Sequence, residues 1–94
     1  MKTIIPTDSA RAIVAAVSEA LTTWSVQEFG WGTVWTHPDG RREVAYLLDR
    51  EEIHLYDGGL QATIGFNQWR DDCDVIADPT SRGVAVALRR IQVI

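Results

Sequence analysis

The sequence has one cysteine, one methionine, three prolines and two histidines, and its longest run of apolar residues, Ala12 to Val17, is short. With Cys73 as the lone thiol there is no intrachain disulfide, and cysteines cannot frame a metal site. A membrane-spanning helix needs about 20 apolar residues, far more than any stretch here. Lys2, Asp8 and Arg11 break up the N-terminal region before it reaches the length of a secretory signal. A reduced chain without staples is expected in the cytoplasm, away from membranes. Glycines cluster only at Gly30-Trp31-Gly32 and Gly58-Gly59. Neither cluster opens a helix with phosphate-loop spacing, so no nucleotide or other cofactor is expected.

What is present is enough for one modest core. The 94 residues are 46% hydrophobic and 23% charged, ordinary proportions for a globular protein, and are read as a single domain, 1–94. Four tryptophans supply much of the apolar surface. A buried aromatic side chain removes about 150–250 Å² from water.

Three turn signals punctuate the middle of the chain: Pro38-Asp39-Gly40-Arg41, Asp49-Arg50-Glu51-Glu52 and Asp57-Gly58-Gly59. Between them lie stretches rich in β-branched, aromatic and aliphatic residues, the pattern of an antiparallel meander. Strands are expected at Trp31–His37, Arg42–Leu48, Ile53–Tyr56 and Leu60–Asn67. In the first, Trp31, Thr33 and Trp35 share a face by alternation. In the last, Leu60, Ala62, Ile64 and Phe66 alternate with polar or small residues, as in a strand with one wet face.

Helices flank the meander. Ile13, Val17, Ala20, Leu21 and Trp24 recur at helical spacing after a cap at Thr7 or Asp8. This helix is expected to end between Ala20 and Glu28, with Gly30 its outer limit. Asp78-Pro79-Thr80-Ser81 reads as a second start, with Asp78 at the cap and Pro79 at the first helical position. Val84, Ala87, Leu88 and Ile91 then follow at helical spacing, and Arg89 and Arg90 suit the negative end of the dipole. Alternation of Val84, Val86 and Leu88 is the competing strand pattern. Val75-Ile76 reads as a short strand or a packed loop, with Trp69 as an anchor. The fold class is α+β: an N-terminal helix, a four-stranded antiparallel β-meander, and a C-terminal helix packed on the same sheet face.

Charge is unevenly spread. From Asp49 to Asp78 there are eight acids against two bases, although the whole chain carries a net charge of only −4. A surface with that balance repels nucleic acid and attracts cationic groups.

Residue sets that could carry chemistry are few. Asp71-Asp72-Cys73-Asp74 is the densest acidic cluster, but it lacks the alternating spacing and the glycine of a calcium loop. It reads as a solvated loop or as a dock for arginines, and no metal is expected. Cys73 with His37 or His54 would make a nucleophile and base, yet three aspartates flank the thiol and oppose thiolate formation. Trp31 and Trp35 read either as core or as exposed hot-spot aromatics.

These features point to a non-enzymatic acidic interaction protein that binds a basic surface of a larger protein or complex, such as one that handles nucleic acid. The partner-binding residues are expected to be Glu51, Glu52, Asp57, Asp71, Asp72, Asp74, Trp31 and Trp35. In being small, acidic and without a cofactor motif, the chain is similar in general character to phage-borne inhibitors such as anti-CRISPR proteins, and a likeness of that kind implies inhibition. It shares no family motif with them. The alternatives are a homo-oligomeric structural or accessory protein that uses an aromatic sheet face, a homodimer among them, and a small enzyme with a site dispersed around Asp71–Asp74 and the histidines.

Overall fold

The computed structural model describes residues 8–66 and 72–94. The Thr7 cap, the Trp69 anchor and Asp71 lie outside them. In chain order the elements are α1 (Asp8–Ala20), β1 (Ser25–Phe29), β2 (Gly32–Thr36), β3 (Arg42–Leu47), β4 (Glu52–Asp57), β5 (Leu60–Gly65), β6 (Val75–Ile76) and α2 (Ser81–Arg90). The strands form one six-stranded sheet in sequence order. All pairings are antiparallel except β5 with β6, which is parallel.

The α+β class stands, and the four expected strands appear as β2 to β5. The sheet is larger and mixed because two strands flank them. β1 occupies the segment assigned to the tail of the first helix. That helix stops at Ala20, where Leu21 still donates to the Val17 carbonyl at 2.9 Å and Trp24 donates to that of Leu21 at 3.1 Å. This turn, through the β-branched pair Thr22-Thr23, swings the chain into register with β2. β6 is only two residues long and is defined by its pairing with Ile64 and Gly65.

The second helix starts later than Asp78. Its N-cap is Thr80, in extended conformation, whose hydroxyl accepts from the Gly83 N–H at 3.0 Å. Pro79 therefore precedes the cap instead of opening the helix. At the other end, Gln92 takes a left-handed φ of 64°. Its N–H donates to the Arg89 carbonyl at 3.0 Å, and that of Val93 donates to the Leu88 carbonyl at 2.9 Å. This is a Schellman ending, with Val93 packed in the same core cluster as Leu88.

Strand alternation separates two faces. On one lie Thr33, Trp35, Val44, Tyr46, Ile53, Leu55 and Ile64, brought side by side by the register. All are buried. They form one cluster with Ile13, Ala16 and Val17 of α1 and Val84, Ala87 and Leu88 of α2. Both helices thus contribute their apolar stripes to the same side of the sheet. The other face carries Gln27, Phe29, Val34, Ala45, Leu47, His54 and Tyr56, and no helix among the described residues covers it. Among those residues the stretch entering β6 packs on it, since a Cβ placed on Gly65 would meet the Cys73 sulfur at 2.9 Å. No helix among the described residues is long and apolar enough to cross a membrane.

Candidate functional site

The meander places its turns at two ends of the sheet, and the ends differ in charge. At one end lie the β2–β3 and β4–β5 turns. His37 accepts from the Gly40 N–H at 2.8 Å, with Pro38 and Asp39 at the centre of the turn and Gly40 at a φ of 74°. One oxygen of Asp39 accepts from the backbone N–H groups of Arg41 at 2.8 Å and Arg42 at 3.2 Å. The Arg41 amide, more than any other group, holds the Asp39 carboxyl well below the usual carboxylate range, with help from Arg42 and His37. Arg41 Nε also meets Asp57 Oδ1 at 2.8 Å. Arg42 lies over the Trp24 ring, 5.9 Å from its centroid. Charge at this end is paired.

At the other end lie the β1–β2 turn (Gly30-Trp31) and the β3–β4 turn (Asp49-Arg50-Glu51), tied by the Leu48 N–H donating to the Trp31 carbonyl at 3.0 Å. Asp49, Arg50 and Glu51 are exposed, and among the described residues none of them makes an ion pair. Glu51 holds a left-handed φ of 52°. Phe29 and Trp31 stack face to face, centroids 5.0 Å apart and planes within 7°. They remain 41% and 47% exposed, a large apolar surface left in water. With Val34, Ala45, Leu47 and Tyr56 they line a shallow groove of about 560 Å³ on the uncovered face.

Among the described residues, the acids of this stretch do not merge into one patch. Glu52 is 3% exposed, its Oε1 against His54 Nε2 at 2.9 Å. Asp57 sits at the far end of β4, roughly 16 Å away by strand rise, paired with Arg41. Asp74 Oδ2 accepts from the Thr63 N–H at 2.8 Å and fastens the crossing segment to β5. Asp72 is exposed and close to Glu52. Asp49, Glu51 and Asp72 therefore mark one end, whereas Glu52 is buried against His54, Asp57 pairs with Arg41 and Asp74 is bonded to Thr63. The tryptophans separate too. Trp31 is at the surface, but Trp35 is 1% exposed and its indole Nε1 donates to the Ser18 hydroxyl at 3.1 Å. Trp35 is core and offers nothing to a partner. Phe29 and Tyr56, which sequence reasoning did not single out, join Trp31 on the open face. Their signal was the alternation of β1 and β4, legible only once β1 is known to be a strand.

Glu52, Asp72 and Cys73 bring two carboxylates and a thiol to within 4.8 Å of one another. Both ring nitrogens of His54 are taken up, one by Glu52 and the other by the Tyr56 hydroxyl at 3.2 Å. His54 therefore braces Glu52 and is not placed as a base for Cys73. His37 sits at the opposite end with Asp39 and Arg42, away from Cys73.

No protein-family model, curated protein or solved structure matches the chain.

Proposed function

We propose that the protein is a non-enzymatic interaction module that docks the uncovered sheet face, at its acidic end, on a cationic and partly apolar surface of a larger protein. The observation that supports this most is the co-location of the exposed Phe29–Trp31 stack with unpaired Asp49 and Glu51 on adjoining turns. Rigid aromatics give contact area at small entropy loss, and they are frequent hot spots. Unpaired carboxylates beside them steer the approach of a basic partner and select against acidic ones. Asp72 extends the acidic margin; Trp35, Glu52, Asp57 and Asp74 play no part in contact. Inhibition of a nucleic-acid-handling complex is the form this takes when the partner's cationic surface is its phosphate-binding surface. The carboxylates then stand where phosphates would.

The test is capture from the native cell at low and high salt, followed by binding of the recovered partner to purified variants. Trp31→Ala and the double change Asp49→Lys with Glu51→Lys should each abolish capture, and salt should weaken it because exposed charges are screened within about 8–10 Å at physiological ionic strength. Asp57→Asn, at the paired end, should leave it intact. Capture that survives the aromatic and charge changes alike refutes the reading.

A further inference from the structure

β1 is an edge strand whose one protective device is the charge of Glu28. Among the described residues it pairs only with β2, in unbroken register from Ser25↔Thr36 to Phe29↔Gly32. It contains no proline, lysine or arginine and no bulge, which are the usual protections against edge-to-edge association. All five of its residues are exposed, Val26 to 55%. Half of its backbone amides and carbonyls face away from β2, as in any strand paired on one side.

Apolar surface flanks this edge on both sides of the sheet. On the uncovered side is the groove of Phe29, Trp31, Val34 and Leu47. On the helix side a second groove, of about 400 Å³, runs between α1 and β1, lined by Ala10, Val14, Ala15, Glu28 and Phe29, with Arg11 at its margin. An added strand sends alternate side chains to opposite faces. One laid against β1 would therefore cover apolar surface above and below at once.

We infer that the occupant is a second copy of the chain, β1 pairing antiparallel with β1 about a two-fold axis at Gln27 to make one continuous sheet of twice six strands. The register follows from the side chains. Centring on Gln27 sets Val26 opposite Glu28 of the second copy and Ser25 opposite Phe29. The lone charge of each strand then faces an aliphatic group and not its own twin. A shift of one residue either way, centring on Val26 or Glu28, leaves part of the strand unpaired, and the second of these puts the two glutamates face to face, which destabilises. The contact is isologous and closes on itself, so it yields a dimer and not a filament. It needs no other protein, but it covers part of the Phe29–Trp31 groove, so the second copy and a docked partner compete for that surface.

Sedimentation of the purified chain over a concentration series tests it. The expected species has twice the 10.5 kDa chain mass. Gln27→Lys places two ammonium groups opposite each other at the axis and should weaken the dimer by at least about tenfold, with its thermal unfolding otherwise that of a folded monomer. Val26→Lys brings its ammonium to Glu28 of the second copy and should leave the dimer in place, which a general loss of edge hydrophobicity would not. Gln27→Cys, combined with Cys73→Ser, should cross-link under mild oxidation, because directly opposed strand residues are within disulfide reach. A wild-type chain that is monomeric at about 1 mM, or a dimer indifferent to Gln27→Lys, overturns the proposal. Sedimentation of the chain alone reads the dimer and capture from the cell reads the docking, so failure of one is distinguishable from failure of the other.

Discussion

Trp35 and Ser18 are joined by a hydrogen bond of 3.1 Å from the indole to the hydroxyl, across 17 residues of chain. It fastens α1 to β2, beside the packing of Ile13, Ala16 and Val17 in the core. Ser18→Ala leaves the indole donor without its acceptor at a part-buried site. The expected loss in urea unfolding is about 1–3 kcal/mol, the range for a stranded donor. Trp35→Ala should cost about 3–5 kcal/mol, enough to leave a small domain largely unfolded.

Gly32 opens β2 directly beneath the carbonyl of Tyr46, and a Cβ there would collide with that backbone oxygen. Because the obstacle is main chain in the middle of a ladder, it cannot swing aside. Gly32→Ala should destabilise by about 1–3 kcal/mol. Gly59→Ala, where nothing lies within 4 Å, should change the unfolding midpoint little. Equal effects at the two positions would refute the argument.

The Tyr46 hydroxyl is buried and, among the described residues, has no hydrogen-bond partner. Burial first, and then the negative charge of Glu51, push its phenol up from 10.0 to about 12. The folded value exceeds the unfolded one, so its contribution is complete below pH 10 and is lost as pH climbs from 10 toward 12. Stability should fall over that alkaline window in the wild type and fall less in Tyr46→Phe. At neutral pH the same substitution removes an unsatisfied group without opening a cavity, so it should be neutral or stabilising by up to about 1 kcal/mol. Denaturant midpoints at pH 7, 10 and 11 distinguish these outcomes.

Gln92 closes α2 in a left-handed conformation, φ 64°, that an L side chain adopts at a cost of about 1–2 kcal/mol. Glycine removes most of that cost at such a position. Gln92→Gly should raise stability by about 1 kcal/mol, read as a higher denaturant midpoint with an unchanged slope. A drop would mean that the Gln92 side chain matters more than its backbone angle.

Much of this fold was legible. Alternation in β5 and the turn residues Pro38, Gly40 and Gly58 reported the meander because they act locally. The segment from Ser25 to Phe29 was not legible as a strand. All five residues are exposed, so burial imposed no period on it, and pairing with β2 decides its conformation. Ile76 pairs with Gly65 through a contact that no local pattern encodes. The site was harder. Trp31 and Trp35 share a parity, but Trp31 belongs to a turn, where strand alternation does not apply, so the ring that looked equivalent to Trp35 stays outside. Glu52 looked like a surface acid, and is buried because His54 and the segment carrying Cys73 close over it. Net charge by segment marked Asp49 to Asp78 as one acidic stretch, without separating the exposed Asp49 and Glu51 from the buried Glu52. It could not show that Asp57 would meet Arg41.

Each antiparallel ladder here joins a strand to its immediate successor. Hairpins of this kind zip within microseconds and need little loop entropy to close. The slow act is the meeting of α1 with α2, elements drawn from nearly opposite extremes of the polypeptide. Refolding should therefore be limited by capture of the C-terminal helix. Until it arrives, the growing sheet keeps the part of its apolar side that Val84, Ala87 and Leu88 will cover open to solvent.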